Sequence, residues 1–124
     1  MTTLAFELPL TAQAAHYARA LIRERFGEVI PATRLWDLFT VVTELITNAV
    51  RHGHGHTVRV RLTIAADGKV SGEVENDGRG NVELRAIDAT SMSGIGLHIV
   101  GAIVDRWRVF VDDSTRVRFE LLES

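Results

Sequence analysis

Glu44 and Asn48 stand four residues apart, so on a helix a carboxylate and a carboxamide project from one side, one turn from each other. A carboxylate so placed can take a proton from a hydroxyl group. A carboxamide oxygen suits magnesium, which prefers oxygen ligands and keeps several of its waters. Downstream, Asn76-Asp-Gly78-Arg-Gly80 and Gly94-Ile-Gly96-Leu97 offer backbone able to close around a nucleotide. Gly94 and Gly96 also precede an expected helix, whose free N–H donors and positive dipole end favour a phosphate. In this order and at these intervals, the three segments read as one site for ATP with magnesium.

Each segment has a plainer reading too. A Glu-Asn pair at this spacing also occurs on the solvated stripe of an amphipathic helix. Gly78 and Gly80 follow a strand end, where a simple turn would need them, and Gly94 with Gly96 could serve a tight turn and close helix packing. The alternating His52, His54 and His56 form a tract of a kind that can bind zinc or nickel, but with Gly53 and Gly55 between them they also suit the flexible exit of a helix. His16 lacks the acidic neighbour expected of a phosphoacceptor histidine and reads as a surface residue. Trp36 and Trp107 read as core or rim packing.

The elements that must position these residues follow from periodicity. Leu4 to Leu8 alternates as a short strand closed by Pro9, and Thr11 is the expected N-cap of a helix to about Phe26, stopped by Gly27. Pro31 and Thr33 open a second helix from about Leu35 to Arg51, with an apolar stripe of Leu35, Leu38, Phe39, Val42, Leu45, Ile46, Ala49 and Val50. Glu44 and Asn48 lie on its other stripe. Thr57 to Ile64 is a strand with Val58, Val60, Leu62 and Ile64 on one face, and Asp67-Gly68 supplies the turn to the next. In that strand Val70, Gly72 and Val74 face in, and the two-residue period carries Asn76 to the same face. Residues 79 to 93 read as a mobile loop, Gly94 to Val104 as a third helix, and Trp107–Val111 with Thr115–Leu122 as a closing hairpin. The order β-α-α-β-β-loop-α-β-β predicts an α+β two-layer sandwich, a mixed and largely antiparallel sheet covered on one face by about three helices.

Bulk properties narrow the class. A length of 124 residues suits a single domain, 1–124, and 46% hydrophobic with 24% charged residues is enough apolar material for a globular core. A net charge of -2 disfavours direct nucleic-acid binding, which ordinarily needs a basic excess. The absence of cysteine excludes disulfides and thiolate metal sites and fits a cytoplasmic location. The N-terminus has no signal-peptide pattern, and the apolar stretch from Ile95 to Val104 is about half a membrane span, so no membrane role is expected.

With these motifs in place, the chain resembles the ATPase fold of gyrases, heat-shock chaperones and sensor histidine kinases, the Bergerat or GHKL fold. Within it, the resemblance is closest to the stand-alone anti-sigma-factor serine/threonine kinases of bacteria. It rests on the Thr43–His52 run with Glu44 and Asn48, on Gly94-Ile-Gly96-Leu97-His98-Ile99-Val100, on Asp105-Arg106-Trp107, and on an opening strand and helix that place Ala18-Arg19. Essentially the whole chain is covered. The resemblance implies that Glu44 is the catalytic base, that Asn48 holds magnesium, and that Asn76 reads adenine in a turn shaped by Gly78 and Gly80. Gly94, Gly96 and Leu97 then lie at the lid end, near the phosphates. It further implies a sigma factor and a STAS-type anti-anti-sigma protein as partners, the latter phosphorylated on serine or threonine. Homodimers are common in that group.

Two departures bear on this expectation. The family usually has aspartate where this chain has Asn76, which can still accept a hydrogen bond but brings no charge. An alignment through Asp77 instead puts Gly78 immediately after it and loses the one-residue spacer before that glycine. A glycine-containing turn is also usual before the last strand, where this chain has Ser114-Thr115. An ATP-gated binding module without kinase activity, and a partner-binding domain indifferent to nucleotide, are the alternative readings. A detached histidine-kinase catalytic domain is a further one, disfavoured because the first helix reads as integral to the fold.

Overall fold

A computed structural model describes residues 1–52, 55–77 and 100–121, His52 by its backbone alone. The strands are β1 (Thr2–Pro9), β2 (Thr57–Ile64), β3 (Val70–Asn76), β4 (Arg106–Val111) and β5 (Thr115–Leu121), and the helices are α1 (Ala14–Phe26) and α2 (Ala32–His52). Residues 100–103 are helical as well. The sheet runs β1-β2-β3-β5-β4, and each of its four ladders is antiparallel. The helices cover one face, which gives the expected α+β two-layer architecture.

The alternation in β2 and β3 decides which face is covered. Val58, Val60, Leu62 and Ile64 are buried, as are Val70, Val74 and Asn76, while Arg59 and Arg61 are exposed on the other side. Gly72 belongs to the inner set. A Cβ there would run into the Phe119 ring and Leu62, so the absence of a side chain is what lets β3 pass beneath that ring. On α2 the stripe from Leu38 to Ala49 is buried as expected, with Leu35 and Val50 at its margin, and Val41 joins it fully buried. A helix buried over so wide an arc lies across the sheet with α1 alongside it.

The boundaries differ in instructive ways. β1 begins at Thr2 and retains Pro9, which pairs with Thr57 at the end of the ladder. Thr11 is not the N-cap of α1: its hydroxyl accepts the Gln13 N–H at 3.3 Å, a local turn that delays the helix to Ala14 and leaves Gln13 as the cap. Gly27 ends α1 as expected, its N–H donating to Arg23 O at 2.9 Å. α2 starts earlier than expected, at Ala32, because the Pro31 carbonyl already accepts from Leu35. The Asp67-Gly68 turn forms with Gly68 at φ 91, where glycine is needed, and Asp67 Oδ1 accepts the Lys69 N–H at 3.0 Å. Of the expected third helix, residues 94–99 lie outside the described residues. Among the described residues no helix is long and apolar enough to cross a membrane.

Candidate functional site

Glu44 and Asn48 occupy the half-buried flank of α2, beside its core stripe. Glu44 is preceded by Thr43, whose hydroxyl accepts from Arg19 Nη1 at 2.9 Å, so a guanidinium from α1 clips the two helices together one residue before Glu44. One turn on, Asn48 Nδ2 is buried and has no hydrogen-bond partner among the described residues. A buried amide without a partner costs stability and calls for an explanation.

The chain path brings α2 and the end of β3 to the same end of the molecule. Residues 53–56 alone join α2 to β2, and Val58, near the start of β2, pairs with Asn76 at the end of β3. On the other side of Asn76 the register partner is Thr115, the first residue of β5. Asn76 is 3% exposed and Thr115 is 5% exposed, the two buried polar residues among the described set, and both face the helix layer. The Thr115 hydroxyl is buried without a partner among the described residues. A polar pair at the edge of an otherwise apolar sheet face, below the helix that carries Asn48, suits a ligand that itself has donors and acceptors, as a purine has.

Asp77 serves a different purpose. Its Oδ1 accepts the backbone N–H groups of His56 at 2.7 Å and Thr57 at 3.0 Å, and it is exposed. It therefore pins the start of β2 to the end of β3, while Asn76 is the residue that points inward. These bonds, the Thr57 N–H first, hold the Asp77 carboxyl below the usual carboxylate range. A depressed folded value means that the stabilisation is present above the unfolded value, near pH 3.9, and is lost as pH falls through the folded one. Asp77→Ala should thus lower the melting temperature at neutral pH, and the deficit should shrink as pH falls below the ordinary carboxylate range in a series of thermal melts. A deficit that persists unchanged at low pH would show that the carboxylate is not its source.

Thr115 was not anticipated, although the signal was available. Val117, Phe119 and Leu121 face in, and the same period of two that places Asn76 inward places Thr115 there too. The turn before it holds without glycine. Asp112 Oδ1 accepts the Ser114 N–H at 3.1 Å, and the Ser114 hydroxyl donates to Glu75, which draws that carboxyl below its ordinary range. Of the other expected site residues, Gly78, Gly80, Gly94, Gly96 and Leu97 lie outside the described residues, as do His54 and the His52 side chain. Trp36, expected as core or rim, stands 66% exposed and packs edge-on against Phe39.

Against known families, residues 4–121 match the pattern of the histidine kinase-like ATPase domain. The chain belongs to that family. Among solved structures, the RsbU and RsbW domains of Rv1364c from Mycobacterium tuberculosis superpose with a TM-score of 0.75 at 24% identity, covering 98% of this chain and 32% of that one. The SiaB–SiaC complex from Pseudomonas aeruginosa gives 0.69 at 15% identity, covering 95% and 88%. The histidine kinase domain of the blue-light activated histidine kinase from Erythrobacter litoralis EL346 gives 0.64 at 21%, covering 92% and 61%. These likenesses are of fold. The chain spans about a third of the length of the first of these structures. No curated protein matches it.

Proposed function

We propose that this ATPase-family domain is an anti-sigma-type regulator that binds ATP with magnesium and phosphorylates a STAS-type anti-anti-sigma partner on serine or threonine. A sigma factor would be its alternate partner. The observation that carries the nucleotide part is the buried polar set at one end of the fold, in which Asn48 Nδ2 and Thr115 Oγ1 both lack partners among the described residues and Asn76 faces the helix layer. The carboxamide of Asn48 can turn its oxygen toward magnesium, which would neutralise phosphate charge. Asn76 and Thr115 would meet the base. Glu44 would take the proton from the partner's hydroxyl as that oxygen bonds to the terminal phosphorus and the bond to ADP breaks. The partner assignment is supported by the family resemblance and by the RsbW and SiaB names among the structural neighbours.

Titration of the protein with ATP and magnesium tests the first step: heat or fluorescence change should saturate, and silence at millimolar nucleotide would end the reading. The adenine contact is tested by Asn76→Asp. A carboxylate forms a hydrogen bond to an amino group roughly twice as strong as a neutral carbonyl does, so ATP should bind about tenfold more tightly. Unchanged or weaker affinity would move the base elsewhere. The uncharged Asn76 also favours a second reading, an ATP-gated partner-binding module without phosphotransfer, in which nucleotide binds but no partner is labelled.

A further inference from the structure

The sheet face turned away from the helices is charged, and its charges are unevenly resolved. Across β1, β2 and β3 opposite signs alternate: Arg59 donates to Glu75 at 3.0 Å and to Glu7 at 3.3 Å. At the β5–β4 corner this alternation fails. Arg108 is in register with Arg118, so two guanidinium side chains stand directly opposite each other on one face. Like charges in that arrangement destabilise a sheet. Next to them the Phe110 ring lies under the guanidinium groups of Arg116 at 5.3 Å and Arg118 at 5.0 Å. Arg118 is tied to Glu73 at 3.3 Å, whereas Arg61 and Arg108, both exposed, form no ion pair among the described residues. Arg61, Arg106, Arg108, Arg118 and Phe110 line a shallow concavity of about 840 Å³ together with Glu73, Asp105 and Glu120, of which Glu73 and Glu120 are engaged by Arg118 and Arg106, so Arg61 and Arg108 are the cations left over among the described residues.

A chain with net charge -2 has gathered arginines at one corner of its sheet, Arg116 and Arg118 ion-paired and stacked on Phe110, Arg61 and Arg108 without an ion pair among the described residues, and the opposed Arg108 and Arg118 come at a cost to the sheet. Arginine presents a planar fork that grips carboxylates in pairs, and arginine with aromatic residues is the composition of interface anchors. We propose that this corner docks an acidic, carboxylate-bearing segment of a protein partner, with Phe110 as its apolar floor. Nucleic acid fits less well, because Glu7, Glu73, Glu75 and Glu120 share the face and would repel a continuous phosphate backbone. The site lies on the opposite side of the sheet from Asn48, Asn76 and Thr115, and it stands or falls independently of nucleotide binding.

The test is fluorescence anisotropy of a short labelled polyglutamate peptide with the full chain at low salt, beside polyglutamine and oligothymidine of equal length. Wild type should bind polyglutamate, bind polyglutamine at least tenfold more weakly, and bind the oligonucleotide less tightly than the acidic peptide. Arg108→Glu should weaken the peptide about tenfold, while Arg25→Glu, an equal change of net charge on exposed α1, should change it less than twofold. Arg108→Gln should raise the melting temperature by roughly 1–3 °C, since it relieves the opposed pair. The proposal is overturned if Arg25→Glu weakens binding as much as Arg108→Glu, or if oligothymidine binds more tightly than polyglutamate. It is equally overturned if the two peptides bind alike, or if Arg108→Glu changes the sedimentation of the free protein, which would assign the face to a second copy.

Discussion

Replacing Glu44 by alanine is expected to cut phosphate transfer to a STAS-type partner by about 10²–10⁴-fold while leaving ATP affinity within about threefold. The asymmetry follows from position. Glu44 sits one turn before Asn48 on the half-buried flank of α2, where its carboxylate can reach a hydroxyl brought by a partner. Magnesium and base contacts would be made by other residues, so removal of the carboxylate deprives only the proton transfer. The neighbouring Arg19–Thr43 hydrogen bond keeps α1 against α2, so the helix should not shift when Glu44 is shortened. Labelled ATP incubated with wild type and variant gives the transfer rate, and a parallel titration gives the affinity. Transfer by Glu44→Ala at the wild-type rate would dismiss the base. ATP binding by wild type with no labelled partner would favour the gated module.

How far the site could be read from sequence depended on which interaction set each residue. The alternation in β2 and β3 was legible because each side chain is either inside or outside a half-buried sheet, and that same rule sent Asn76 inward and Asp77 out. The α2 stripe was legible for the same reason at a different period, which placed Glu44 and Asn48 on one flank. Thr115 begins the closing strand as expected, but its place in the site is given only by its pairing beside Asn76, and the turn before it is held by Ser114 and Asp112 without glycine. The pairing of β3 with β5, which sets Asn76 beside Thr115, is a non-local choice that no local period encodes. Thr11 failed as a cap because a competing two-residue hydrogen bond won locally. The opposed arginines Arg108 and Arg118 were invisible before the register was known, since only the ladder shows which charges face each other.

Asn48→Leu should separate folding from function in the opposite direction to most core changes. The Nδ2 of Asn48 is buried without a partner among the described residues, and an orphaned amide of this kind costs about 1–3 kcal/mol. Leucine keeps the branched four-heavy-atom shape, somewhat enlarged, and has no polar atom, so the nucleotide-free protein should gain about 1 kcal/mol and melt a few degrees higher. Wild type should be stabilised further by ATP with magnesium, by about 2.7 kcal/mol at a hundredfold excess over the dissociation constant, because a ligand that binds only the folded state shifts the equilibrium by mass action. The leucine variant should show almost none of that second increment, since it offers no oxygen to the metal. Thermal melts with and without nucleotide read both effects in one experiment. A variant that melts lower than wild type yet keeps the full nucleotide shift would mean that Asn48 is a structural residue and that magnesium is held elsewhere. The expected crossing, more stable alone and indifferent to ATP, is what a polar residue kept in a costly position for its ligand should produce.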